Sequence, residues 1–163
     1  MSSVKKVKIG NIAIGGGEKI AVQSMATTKL ENVSDSVAQS LRLQNAGCDI
    51  IRFSVLDEKD VKAIASVKKE ISMPLVADIH FDYRLALSCI DGGADKIRIN
   101  PGNIGGEDKV KEVAAALKEK GIPVRVGSNT GSIEKEYLEK YGRSYLSLAE
   151  SALKRVASLE KYG

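Results

Sequence analysis

Five times along the chain, a short run of β-branched and aliphatic residues gives way to a stretch with apolar residues three and four apart. The short runs are Ile20-Ala-Val-Gln-Ser-Met25, Asp49-Ile-Ile-Arg-Phe-Ser-Val55, Pro74-Leu-Val-Ala-Asp-Ile-His80, Asp95-Lys-Ile-Arg-Ile-Asn100 and Pro123-Val-Arg-Val-Gly-Ser-Asn129, and they read as strands. The stretches between them read as amphipathic helices, with Val37 and Leu41 in the first and Val110, Val113, Ala114 and Leu117 in the fourth. Gly47, Gly92-Gly93, Gly121 and Gly142 mark helix ends, while Asn32 or Ser34, Asp57 and Glu107-Asp108 supply caps and acids at helix starts. A last helix is expected over residues 147–162, with Leu148, Ala152, Val156 and Leu159 on its apolar stripe. Ahead of the first unit, residues 7–17 read as a β-hairpin turning at Gly10-Asn11, placed either to plug the bottom of a barrel or to pack on a sheet edge.

Alternating strands and helices imply a parallel sheet, rolled into a barrel or left open and doubly wound. Strands covered on both faces are near-continuous aliphatic runs, but here polar residues recur at every second position. Arg52 shares a face with Ser54, Asp78 with His80, Arg98 with Asn100, and Arg125 with Gly127 and Asn129. A face with such residues near the C-terminal strand ends is the mouth of a barrel. The expected fold is therefore α/β, parallel (βα) units of a TIM barrel, five of the eight present, preceded by a short N-terminal β-hairpin. A full barrel needs about 250 residues, and this chain has 163. An open five-stranded sheet is the alternative.

Length places the chain in one domain, residues 1–163, and 43% apolar with 28% charged residues excludes a disordered chain. Mean hydropathy is −0.13, and no apolar run approaches the ~18 residues that would span a bilayer. The basic start, residues 1–8, leads into no apolar run of a secretory leader, so a cytoplasmic location without membrane attachment is expected. Cys48 and Cys89 are too few to staple a secreted scaffold or complete a four-cysteine metal site, and both read as buried thiols. The net charge of +4 is spread along helices, and aromatics are 4% with no Trp. No nucleic-acid partner is expected from so few stacking groups.

The informative charges lie on the strands. Arg52, Arg98 and Arg125 come from separate strands at matching depths and converge in a barrel. Two guanidiniums ~6 Å apart repel by nearly 3 kcal/mol at an effective dielectric of ~20. Asp78 is the only acid on these inward faces, so the surplus points to an anionic ligand, and planar forks suit phosphate or diphosphate. The competing reading pairs the arginines with helix acids such as Glu107. Asp78 and His80 lack the further ligands a metal site needs, so the expected metal is none. They are read as holding substrate hydroxyls or relaying protons, against a histidine satisfied by a backbone carbonyl. Asn100 and Asn129, at strand ends, are candidates for direct ligand contact, with Gln23 and Ser24 weaker ones. The loop over residues 100–106 reads as a plain turn, because Glu107 and Asp108 would repel an anion from that helix end.

Four of these runs together resemble the 4-hydroxy-3-methylbut-2-enyl diphosphate synthase family: Ile20-Ala-Val-Gln-Ser-Met25, Leu75-Val-Ala-Asp-Ile-His-Phe-Asp-Tyr-Arg84, Arg98-Ile-Asn-Pro-Gly-Asn-Ile-Gly105 and Pro123-Val-Arg-Val-Gly-Ser-Asn129. The resemblance runs from about Lys6 to the C-terminus. It implies an oxidoreductase of isoprenoid biosynthesis, in the methylerythritol phosphate pathway, whose N-terminal TIM barrel binds 2-C-methyl-D-erythritol 2,4-cyclodiphosphate. It further implies a C-terminal iron-sulfur domain, absent from this chain, holding a [4Fe–4S] cluster reduced by ferredoxin or flavodoxin. By the same resemblance Arg52, Arg98 and Arg125 grip the diphosphate, and Asp78, His80 and Asn129 line the substrate. The last three barrel strands, with a lysine and a catalytic glutamate, are also expected to be missing, so the chain alone should not turn over. Ala26-Thr27, Ser128 and Thr130 depart from the family pattern without touching the charges. Unpaired edges on the first and fifth strands predict a homodimer or other self-association. The alternatives are a non-catalytic anion-binding α/β module and a pterin-binding barrel of the dihydropteroate synthase type.

Overall fold

The hairpin and the five βα units fold in the order their spacing predicts. The computed structural model describes residues 5–162. Residues 1–4, part of the start in which no leader is expected, lie outside the described residues, as does Gly163. An antiparallel hairpin of β1 (Lys6–Ile9) and β2 (Ile12–Gly15) comes first. Then follow β3 (Gln23–Met25), α1 (Val33–Asn45), β4 (Ile50–Val55), α2 (Glu58–Glu70), β5 (Leu75–Ile79), α3 (Tyr83–Asp91), β6 (Lys96–Ile99), α4 (Glu107–Lys120) and β7 (Val124–Val126). A 3-10 turn, Thr130–Ser132, leads into α5 (Lys135–Tyr141) and α6 (Tyr145–Glu160).

Strands β3 to β7 form one parallel sheet in sequential order. A doubly wound sheet reverses at a switch point; this one does not, so it is a stretch of barrel wall. Period-two alternation divides its faces. Outward residues Ile51, Phe53, Val55, Leu75, Ala77, Ile79, Ile97 and Ile99 are buried against Ile64 and Val67 of α2, Ala86 and Cys89 of α3, and Val113 and Leu117 of α4. Each Val, Leu, Ile or Phe among them is worth about 1.5–3 kcal/mol when fully buried, so the sheet–helix layer holds the fold.

On the inward face, Ile50 and Val76 meet Ile9, with Ile12, Ile14 and Ala21 packed around them. The hairpin therefore plugs the bottom of the sheet. Its turn has Gly10 at φ +54°, and a Cβ there would stand 3.1 Å from Asp95 Oδ1 and 3.2 Å from Pro74 Cγ. Only glycine suits both the backbone and that close approach.

Three expectations are corrected at the edges. The first strand is limited to β3, and Ile20 and Val22 ahead of it are exposed. In α1, Leu41 is exposed while Ser36 and Ser40 are buried; their hydroxyls donate to Lys29 O (2.9 Å) and Ser36 O (2.7 Å). In α6 the buried stripe is Ser147, Ser151, Arg155 and Leu159, one residue round from the expected one, leaving Val156 exposed. Among the described residues no helix is long and apolar enough to cross a membrane.

Candidate functional site

Above the plug, the inward face is a ladder of polar side chains. Ser54, Asp78, Arg98 and Arg125 stand level in the register of β4 to β7. Arg52 lies one step lower, level with Val76 and Lys96. Equal depth thus holds for Arg98 and Arg125, while Arg52 reaches up from the layer beneath.

Asp78 is fully buried at the centre of this ladder. Arg98 Nη1 donates to its Oδ1 at 3.0 Å, Arg52 Nη2 lies 3.0 Å from Oδ2, and His80 Nε2 lies 3.8 Å from the same oxygen. The Arg52 contact is an ion pair without hydrogen-bond geometry: Asp78 Oδ2 has no hydrogen-bond partner, and Arg52 Nε is buried with none. Arg125 is exposed, and among the described residues no carboxylate lies within 4.0 Å of it or of Lys96. Burial, then the charge of Arg125, lowers the pKa of Lys96, which is only 8% exposed. Four cationic side chains therefore face one carboxylate. The competing pairing with Glu107 is not realised, since that carboxylate accepts from Lys161 Nζ (2.6 Å) and Tyr162 Oη (2.5 Å).

Glycine gives Arg98 its seat. A Cβ on Gly127 would stand 2.4 Å from Arg98 Nη2 and 2.7 Å from Cζ and Nε, so the guanidinium lies directly against the β7 backbone. There Gly127 N donates to Ile99 O at 2.8 Å, extending the β6–β7 ladder by one rung.

The two asparagines differ. Asn129 is exposed, and its Oδ1 accepts from Gly131 N (3.1 Å), capping the 3-10 turn at the mouth. Asn100 is 1% exposed: its Oδ1 accepts from Gly102 N (3.2 Å) and Arg155 Nη1, and its Nδ2 donates to Ser132 Oγ (2.9 Å). In this arrangement the Asn100 amide joins loops, with its hydrogen bonds made to Gly102, Ser132 and Arg155.

Sequence reasoning passed over three residues. Lys96 was readable from alternation, two positions before Arg98 on the same strand. Asp60 looked like an ordinary first-turn acid of α2, yet it is buried and accepts from Glu31 N and Leu56 N (both 2.9 Å), tying the loops after β3 and β4. Arg155 sits on α6 beside Lys154 and carries no local signal; it is 4% exposed.

The two thiols do not fit an iron-sulfur cluster. Cys48 donates to Ile50 O (3.1 Å) below the sheet, and Cys89 is buried in α3, where desolvation above all pushes its pKa up to about 12. Among the described residues no group of three or more His, Cys, Asp or Glu side chains could hold a metal ion. No electron-transfer step is assigned to these residues. A cavity of about 490 Å³ lies between the hairpin, α4 and β7, away from the polar ladder of the inward face.

Comparison with known proteins bears on this arrangement. Residues 4–163 match the family model of the GcpE TIM-barrel domain. The chain is 56% identical over 160 residues to a 4-hydroxy-3-methylbut-2-en-1-yl diphosphate synthase (flavodoxin) of Caldanaerobacter subterraneus subsp. tengcongensis, covering 98% of this chain and 45% of that protein. A synthase of the same name from Bacillus cytotoxicus is 53% identical, with 98% and 44% covered. The chain thus spans less than half the length of these relatives. Among solved structures, a mandelate oxidase variant bound to 4-Br-2-hydroxy-methylphenylacetate superposes with a TM-score of 0.50 at 16% identity, covering 87% of this chain and 55% of that one. That likeness speaks for the fold alone.

Proposed function

The chain belongs to the GcpE TIM-barrel family, and on that premise we propose that it is the diphosphate-holding part of a 4-hydroxy-3-methylbut-2-enyl diphosphate synthase. The observation that carries this reading is the charge imbalance on the inward face. Among the described residues, Arg52, Arg98, Arg125 and Lys96 face no carboxylate but Asp78, and Arg52 Nε is buried without a partner. A buried N–H left unpaired costs about 1–3 kcal/mol, and a diphosphate oxygen would satisfy it.

In this reading Arg98, Arg52 and Arg125 bind the diphosphate of 2-C-methyl-D-erythritol 2,4-cyclodiphosphate. Asp78 holds the first two guanidiniums in place, and His80 and Asn129 face the polyol at the mouth. A [4Fe–4S] cluster held by a C-terminal domain, outside this chain, would supply the electrons that open the ring and expel water. The electron donor would be flavodoxin, as in the relatives' names, or ferredoxin, in the cytoplasm. These residues bind and orient the substrate. With β3 and β7 as open edges, it is expected to self-associate, and sedimentation showing only monomer would contradict that.

Calorimetric titration of the 163-residue chain with the cyclodiphosphate and with a pterin tests the reading. Saturable binding of the cyclodiphosphate, lost in Arg98→Ala, supports it. Pterin binding in its place, or no binding of either, overturns it.

A further inference from the structure

The C-terminal helix turns a polar stripe inward, and one side chain on it has no part in gripping the anion. Ser147, Ser151 and Arg155 of α6 are buried, where Leu148, Ala152 and Val156 would give an apolar face. A buried guanidinium without compensation costs several kcal/mol, so specific partners must hold Arg155 there. Its Nε donates to Glu134 Oε1 (3.2 Å), its Nη1 to Ser132 Oγ (3.1 Å) and Asn100 Oδ1, and its Nη2 to the Ser132 carbonyl. Burial raises the Glu134 pKa, but hydrogen bonds from Ser151, its own backbone and Arg155, with the charge of Arg155, hold it below the ordinary value. Arg155 is thus countered by a charged acid.

These partners belong to two different loops at the mouth. Asn100 opens the β6–α4 loop two residues after Arg98. Ser132 and Glu134 close the β7–α5 loop, where Asn129 N donates to Ser132 Oγ at 3.3 Å. The loops also meet through Asn100 Nδ2 and Ser132 Oγ, and Arg155 braces both ends of that bond. Space is cut to its shape: a Cβ on Gly102 would stand 2.6 Å from Arg155 Nη2 and 2.8 Å from Cζ, although the Gly102 backbone is not in the left-handed region. From these contacts we infer that Arg155 is a positioning residue for the diphosphate site, locking the β6–α4 and β7–α5 loops together so that Arg98, Gly127 and Asn129 keep the geometry in which the anion is held. This rests on reading the mouth as the diphosphate site. Arg155 is not itself a ligand cation, being buried and paired with Glu134. A lysine could not replace it, since four acceptors around one planar fork exceed what a single ammonium reaches.

The test compares wild type, Arg155→Met and Arg155→Lys by calorimetric titration with inorganic pyrophosphate over a range of salt, together with amide hydrogen exchange. Loosening both loops should weaken pyrophosphate binding about tenfold in Arg155→Met, with only partial recovery in Arg155→Lys. Exchange should rise over residues 101–106 and 129–134 and stay unchanged in β4 to β6. The salt dependence of binding should match wild type, because the cations facing the anion are all retained. Unchanged exchange in both loops overturns the inference, as does a flatter salt dependence, which would make Arg155 a direct ligand. If Arg155→Met does not fold, Gly102→Ala displaces the fork while leaving α6 intact; wild-type exchange and affinity in that variant overturn the inference equally. Failure of the wild-type chain to bind pyrophosphate would count against the proposed function, and the loop exchange would still decide the clamp.

Discussion

Replacing Asp78 by asparagine keeps the shape of the side chain and removes the one negative charge on the inward face. Arg98 and Arg52 each lie 3.0 Å from a carboxylate oxygen, with 19% and 23% of their side chains exposed, and Asp78 itself is buried. With charge centres ~4 Å apart and an effective dielectric of ~20, each pair is attractive by about 4 kcal/mol. The guanidiniums also repel each other once the carboxylate is gone. Loss of one partner from a buried ion pair typically costs about 3–5 kcal/mol, and Asp78→Asn is expected in that range. With a urea slope of about 2 kcal/mol per molar, the unfolding midpoint falls by roughly 2 M. A bound diphosphate would then be the sole counterion, so saturating pyrophosphate should raise the midpoint of the variant by more than that of wild type. Urea titrations of both proteins with and without pyrophosphate measure the two effects. An unshifted midpoint, or a variant insensitive to pyrophosphate, would refute the reasoning.

Gly127→Ala should lower stability by about 1–3 kcal/mol, since the new methyl pushes the Arg98 guanidinium away from Asp78, and should weaken pyrophosphate binding about tenfold by unseating that guanidinium. Denaturation and calorimetry on the same sample separate the two, and intact affinity would show that Arg98 needs no seat. Lys96→Met removes a buried cation that has no carboxylate partner, so the unliganded chain should become more stable by about 1–2 kcal/mol at pH 7. The folded-state pKa of Lys96 is depressed, so the wild-type penalty is full below that pKa and fades as pH rises through it toward the unfolded value near 10.5. The stability difference between Lys96→Met and wild type should shrink accordingly, and a difference constant up to pH 11 would contradict the assignment.

Most of the wall was legible because two periods coexist in the chain. Alternation in the strands separated Ile51, Phe53 and Val55 from Arg52 and Ser54, and that split is the division between helix layer and barrel interior. The hairpin was legible from Gly10-Asn11, though only packing of Ile9 against Ile50 and Val76 placed it at the bottom. Helices α1 and α6 were misread for one physical reason. Their buried faces mix apolar residues such as Val37 and Leu159 with serines and Arg155 whose polar groups are hydrogen-bonded, so periodicity of hydrophobic residues alone pointed to a neighbouring stripe. Arg155 was hidden for the same cause: its partners Asn100 and Ser132 lie far away in sequence. The level of Arg52 was illegible because register between parallel strands depends on crossover geometry, which no local pattern encodes.

The central claim is that guanidiniums on the inward face share one bound diphosphate. The most direct measurement is the arginine Nε–Hε NMR spectrum of the chain, titrated with 2-C-methyl-D-erythritol 2,4-cyclodiphosphate and assigned through Arg52→Lys, Arg98→Lys and Arg125→Lys. The account predicts that the resonances of Arg52, Arg98 and Arg125 shift together and saturate at one ligand per chain, with Arg52 moving most because its Nε has no partner in the unliganded protein. Stationary resonances for these three arginines at saturating ligand, or shifts confined to arginines elsewhere, would contradict it.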